Sequence, residues 1–168
     1  MDLAVKDDVK SNLTKLKDEI IQETIEKTFW QLAIKRDNWV VVIRQRESLP
    51  FCDVSFAQNY QGDDLIKLKG FMRDFPFLLE LRKLITSPKV SWYTNLKENE
   101  LTGYIIIQRC FINSNVVDIA DLDASIRSVI NYGVLALTFI GSKIRKEASE
   151  QQSTDHKTLG SEENRSYS

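Results

Sequence analysis

Residues able to carry catalysis are sparse in this chain. Its only histidine, His156, lies in a polar segment near the end. A metal centre needs several ligands converging at fixed spacing, and a nucleophile needs a positioned base; one histidine in such a segment builds neither. The acidic group Asp118, Asp121 and Asp123 is the best candidate for holding a divalent cation or acting as a general acid. A calcium loop, however, wants oxygen ligands at closer, regular offsets and a glycine at the turn. These carboxylates are therefore expected to cap a helix and solvate its loop. Asp63 and Asp64 beside Gly62 read as a hairpin turn, and Glu47 and Glu98 sit in polar turns with no evident carboxylate partner. There is no glycine-rich phosphate loop, CxxC pair or GxSxG. The expectation is a chain with no catalytic residues, metal or cofactor.

The remaining candidates are aromatic and sulfur side chains. Trp30, Trp39 and Trp92 could line a ligand cage, but large aromatics at element ends more often fill a core or its rim. Aromatic readers of single strands also need a basic groove, and the formal charge here is −1 with a pI near 5.9. No nucleic-acid partner is expected. Cys52 and Cys110 fall inside apolar, strand-like runs. We read them as reduced thiols packed as small hydrophobes, with a bridge between neighbouring strands as the alternative. The start, MDLAVKDDVKSNL, is charged and lacks the apolar core of a leader. A cytoplasmic, reducing compartment is expected.

The elements that position these residues follow from periodicity. A long amphipathic helix is expected from Val9 to Ile34, on Leu13, Leu16, Ile20, Thr24 and Thr28–Phe29, with a Glu23–Lys27 pair on its polar side. A turn at Arg36–Asn38 leads to a β-branched strand, Trp39–Gln45. Phe51–Gln58 alternates, with Cys52, Val54 and Phe56 on one side and Asp53, Ser55 and Ala57 on the other. After a loop with Gly62 at positive φ, Leu65–Phe71 reads as a third strand of an antiparallel meander. Pro76 opens a helix with a buried stripe of Phe77, Leu78, Leu81, Leu84 and Ile85, ended by Pro88. A strand pair, KVSWYTN and LTGYIIIQRCFI, flanks the turn LKENE. A last helix is expected from Leu122 to Lys146, with Asp121 as its N-cap.

This order, α-βββ-α-ββ-α, argues for an α+β fold in which helices pack on one antiparallel sheet. With 168 residues, 42% of them hydrophobic, the chain can bury a core without metal or disulfide. We expect one domain over 1–146 and a disordered polar tail over 147–168, whose few apolar residues cannot offset the entropy of ordering. The most apolar run, Val129–Gly141, is shorter than the roughly 20 residues of a spanning helix and contains Asn131. A buried helix, not a membrane span, is expected there.

Two features point to surface contact. The strand Leu101–Ile112 is apolar on both faces: Tyr104, Ile106, Cys110 and Ile112 on one, Ile105, Ile107 and Phe111 on the other. The last helix carries two stripes, Leu122, Ile126, Val129, Ile130, Gly133, Leu137 and Ile140, then Tyr132, Leu135, Ala136 and Phe139. Either that helix is central, or its second stripe meets another chain. Gly133 on the first stripe suggests a close approach of helix to sheet.

The run LIKLKGFMRDFP, LLELRKLIT, KVSWYTNLKENELTGYIIIQRCFI and DLDASIRSVINYGVLALTFI resembles the type III secretion chaperone-like superfamily. That superfamily includes the small secretion chaperones, the YbjN proteins and a cyanobacterial family of unknown function. The resemblance covers Leu13 to Ile144 and rests on element order; the tail belongs to no pattern in it. It implies a non-enzymatic binding module, commonly a homodimer joined through the middle helix and the adjoining strand. Leu78, Leu81, Leu84, Ile85, Ile105, Ile107 and Phe111 are the expected interface. The expected function is a chaperone- or regulator-like protein-binding module with a protein client. The alternative is a small-molecule carrier with an apolar pocket between sheet and last helix, lined by Trp39, Phe56, Trp92 and Tyr104.

Overall fold

A computed structural model describes residues 4–47, 49–86, 88–97, 100–112 and 117–162. In chain order the elements are α1 (Ala4–Lys15), β1 (Glu19–Ile25), β2 (Phe29–Arg36), β3 (Trp39–Arg46), β4 (Phe51–Tyr60), α2 (Gly62–Phe71), α3 (Phe75–Leu84), β5 (Lys89–Lys97), β6 (Glu100–Ile112) and α4 (Ile119–Glu162). The six strands form one antiparallel sheet in the order β1-β2-β3-β4-β6-β5. The fold is α+β, as the element pattern predicts.

Two elements differ from that pattern. The long first helix is instead α1 followed by the hairpin β1–β2. Leu16 and Lys17 still bond back helically, but Lys17 turns to a φ of 63° and ends the run. Ile20, Ile21, Thr24, Ile25 and Thr28 are β-branched, and that stiffness at χ1 suits a pleated sheet better than a helix. Glu23 consequently pairs with Lys6 (2.6 Å) and Lys10 (2.7 Å) of α1, not with Lys27. The second difference is Leu65–Phe71, a helix rather than a strand. Leu65, Leu68 and Phe71, three apart, are its buried residues. Gly62 does take a positive φ, 55°, but it opens α2 and not a hairpin.

All four helices lie on one face of the sheet. Trp30, Leu32 and Ile34 of β2, Val41 and Ile43 of β3, Cys52, Val54 and Phe56 of β4, and Ile105 and Ile107 of β6 form that face. Val5, Val9 and Leu13 of α1 and Leu122, Ile126, Val129, Ala136 and Ile140 of α4 close over it. Each such aliphatic side chain contributes about 1.5–3 kcal/mol on burial. Gly133 rests on Phe56, where an added Cβ would stand 2.5 Å from the ring. Among the described residues no helix covers the other face. Phe29, Gln31, Val42, Arg44, Phe51, Ser55, Tyr104 and Ile106 are half-buried there, and Val40 and Ala57 are exposed.

The last helix starts earlier and runs longer than its periodicity predicts. Asp118, not Asp121, caps it: the Ala120 N–H donates to Asp118 Oδ1 at 2.7 Å. It continues past Lys146 to Glu162. The helix is long and apolar enough to cross a membrane by composition alone, yet its first stripe is laid on the sheet. Its second stripe is met in part by α3 and the residues after it: Phe139 stacks on Phe77 at 5.2 Å and the Tyr132 and Thr86 hydroxyls lie 3.2 Å apart, while Leu135 is 46% exposed.

Candidate functional site

The most unusual surface is built by α3 and the strand that follows it. Asp74 precedes α3, Pro76 occupies its first turn, and its residues FPFLLELRKL are apolar nearly all round. One side goes inward. Phe77 stacks between Phe71 (5.0 Å) and Phe139, and Leu81 and Ile85 are buried. The other side remains in solvent: Phe75 is 73% exposed, Leu79 45%, Leu84 40% and Leu78 37%. Large apolar side chains exposed together along one helix mark a contact surface more often than a solvated one.

Beside this helix runs a groove of about 730 Å³, lined by Met72, α3, the turn after it with Pro88, and Lys89 to Trp92 of β5. Successive residues of a strand point to opposite faces. A groove reached by four consecutive strand residues, Lys89 to Trp92, is not confined to the side chains of one face. β5 is the last strand of the sheet and pairs only with β6 among the described residues. The apolar lining comes from Leu78, Leu81, Ile85, Val90 and Trp92; the charged lining is Arg82 and Lys89, with no carboxylate. Neither cation has an ion pair among the described residues.

The residues expected at an interface are thus divided. Leu78 and Leu84 are exposed, and Leu78, Leu81 and Ile85 line the groove. Ile105 and Ile107 are 2% and 1% exposed, covered by the chain's own helices. The side chain of Phe111 lies outside the described residues. The sheet face left uncovered is the one bearing Tyr104 and Ile106, opposite to the face of Ile105 and Ile107. Phe75 and Leu79 were not foreseen. Their signal was present, since i and i+4 apolar residues stood opposite the Phe77–Leu81 stripe.

The carrier pocket is not assembled as expected. Trp39 meets Phe56 at 5.5 Å between ring centroids, and Phe56 fills the space beneath Gly133. Tyr104 is on the opposite face. Trp92 packs over Gly103 together with Leu65. The three tryptophans are dispersed, with Trp30 buried and its indole N–H donating to Gln45 Oε1 at 2.9 Å.

Ionisable groups are spent on structure. Arg36 donates to both oxygens of Asp18 (2.6 and 2.5 Å) and to Asp123 (2.6 Å), which Arg127 also contacts at 2.7 Å. Burial alone would raise the Asp123 carboxyl, but the hydrogen bonds from Arg127 and Arg36 hold it below its ordinary range. Asp121 lies 4.0 Å from Arg109. Glu23 is likewise lowered, by its hydrogen bonds from Lys10 and Lys6. Among the described residues no group of three or more His, Cys, Asp or Glu converges. Cys52 is a free, buried thiol that burial pushes up to about 12; the side chain of Cys110 lies outside the described residues, as does that of His156.

This sheet, with all its helices on one side and a long helix closing it, has solved counterparts. An uncharacterised protein from Methanothermobacter thermautotrophicus superposes with a TM-score of 0.62 at 13% identity, over 83% of this chain and 98% of its own. YbjN of E. coli, described as a candidate transcription regulator, superposes with a TM-score of 0.54 at 8% identity, over 84% of this chain and 93% of its own. The fold is YbjN-like. No family model matches the sequence, and no curated protein matches it.

Proposed function

We propose that this protein is a non-catalytic protein-binding module, regulator- or chaperone-like, that works as a homodimer. The observation that carries the reading is α3, which serves the core with Phe77, Leu81 and Ile85 and still presents Phe75, Leu78 and Leu79 to solvent. The YbjN-like fold supports a regulator-like role. An apolar groove open to the outside also favours protein contact over an enclosed carrier pocket. In a two-fold dimer the same patch meets itself, and the exposed Phe75, Leu78 and Leu79, at i, i+3 and i+4, form an apolar patch suited to such a helix pair. Sedimentation equilibrium at tens of micromolar should give twice the 19.4 kDa of one chain. Phe75→Asp with Leu79→Asp should give one chain mass with an unchanged far-ultraviolet spectrum, because both positions are exposed. A wild-type protein that sediments as a monomer would overturn the dimer.

A further inference from the structure

We propose that the groove between α3 and β5 is a site for a small amphipathic anion, a ligand with an apolar chain and a single carboxylate head. This goes beyond the reading of the protein as a protein-binding module and does not depend on it. The groove's volume, about 730 Å³, falls inside the range of about 300–1,000 Å³ usual for small-ligand sites. Its apolar wall is Leu78, Leu81, Ile85, Val90 and Trp92, and the charged side chains that line it are Arg82 and Lys89. Neither cation has an ion pair among the described residues. The one acidic residue of α3, Glu80, pairs instead with Lys143 of α4 at 3.1 Å. A carboxylate entering the groove therefore meets two cations and no competing carboxylate in its lining.

The charge lies at one end of the groove. α3 ends at Leu84 and β5 begins at Lys89, and both elements line the same groove. The residues nearest this short connection therefore share one end of it. Arg82 is two residues from the end of α3, and Lys89 is the first residue of β5. Leu78 stands about 9 Å back along the helix from Leu84, and Trp92 about 10 Å along the strand from Lys89. An apolar wall leading away from a cationic end suits a head and a tail. An extended acidic peptide carries its charges along its length and would find cations at one end only. A second copy of this surface would bring cations to cations, which like charge disfavours.

The test uses the full chain and a fluorescent probe, dansyl-undecanoate, displaced by competitors kept below their micelle concentrations. One probe should bind per chain. Octanoate, decanoate and laurate should displace it with affinity rising at least about twofold per added methylene, as expected of a chain half-buried in an open groove. Dodecyltrimethylammonium should compete at least about tenfold more weakly than laurate. Arg82→Gln with Lys89→Gln should weaken laurate at least about fivefold and leave uncharged decanol unchanged. Lys67→Gln with Lys69→Gln, on α2 and outside the groove, should alter neither competitor. Equal competition by laurate and dodecyltrimethylammonium, or unchanged laurate affinity in the Arg82 and Lys89 variant, would overturn the proposal. So would failure of the probe to bind, or its displacement by a capped peptide of alternating Val and Glu at concentrations where laurate has no effect, which would give the groove to a peptide. The sedimentation mass of the unliganded chain tests the dimer separately. A monomer that binds laurate sinks only the dimer, and a dimer that ignores laurate sinks only this site.

Discussion

Replacing Gly133 by alanine sets two known effects against each other at one atom. In an exposed helix interior, Gly→Ala stabilises by about 1 kcal/mol, because the unfolded chain loses freedom and the helix gains propensity. At Gly133 the new methyl would lie 2.5, 2.7 and 2.8 Å from three atoms of the Phe56 ring. That ring is 3% exposed, with Trp39 against it, so it has little room to swing aside. Relief to ordinary contact requires roughly 1 Å of separation between α4 and the sheet, and a gap of that size forfeits a quarter to a half of each dispersion contact it opens. Overpacking of this kind costs about 1–3 kcal/mol. The balance is a net loss of about 1 kcal/mol, or about 2–4 °C in midpoint for a domain of this size. Urea unfolding followed by circular dichroism measures it. Phe56→Leu supplies the internal control: in that background Gly133→Ala should become neutral or stabilising, with a coupling energy of at least about 1 kcal/mol. A Gly133→Ala protein more stable than wild type, or additivity of the two changes, would refute the close approach of helix and sheet.

Other perturbations follow from the same geometry. Arg36→Ala leaves the Asp18 carboxylate, 2% exposed, without its two-toothed partner, and chemical denaturation should show a loss of about 3–5 kcal/mol. Asp123 and Glu23 are held below their ordinary values when folded, so their contribution is complete above the unfolded carboxylate range. It should fade as pH falls through the lowered folded values; unfolding midpoints between pH 7 and pH 3 should decline, and decline less in Asp123→Asn. Cys52, buried with its thiol pushed up to about 12, should resist alkylation at pH 8 in the native protein and react on unfolding, as site-resolved mass spectrometry would show. Ile107→Glu should fail to fold because it buries a charge, whereas Ile106→Glu on the open face should retain the native spectrum.

Much of this molecule was legible from residue order, and the failures have physical causes. β3 and β6 were found from their β-branched runs, β4 from its alternation, and β5 from its place across the polar turn from β6. α3 was found because Pro76 and Pro88 bracket it. The first thirty residues misled because charges spaced along EIIQETIEKTFW satisfy a helical stripe about as well as a strand. β-branching, the discriminating cue, carries less weight than periodicity in a long window. LIKLKGF alternates like a strand for five residues, but Leu65, Leu68 and Phe71 also repeat every three, and tertiary packing chose the helix. At the candidate site the leucines of α3 were recognised as a group. Periodicity put Leu78 and Leu84 on the buried stripe with Phe77, Leu81 and Ile85, yet both are exposed, because apolar residues lie on several sides of α3 and only the placing of its neighbours decides which are covered. Ile105 and Ile107 were assigned to a partner for the same reason.

The one-sided layering of this fold separates two tasks that most small domains must share. Most of the apolar core lies beneath the helices, while the other side of the sheet, the outer ridge of α3 and the margin of β5 contribute less to it. Recognition can therefore drift, residue by residue, without endangering the architecture. A lineage built this way can trade one partner for another while its skeleton stays recognisable long after its letters have diverged.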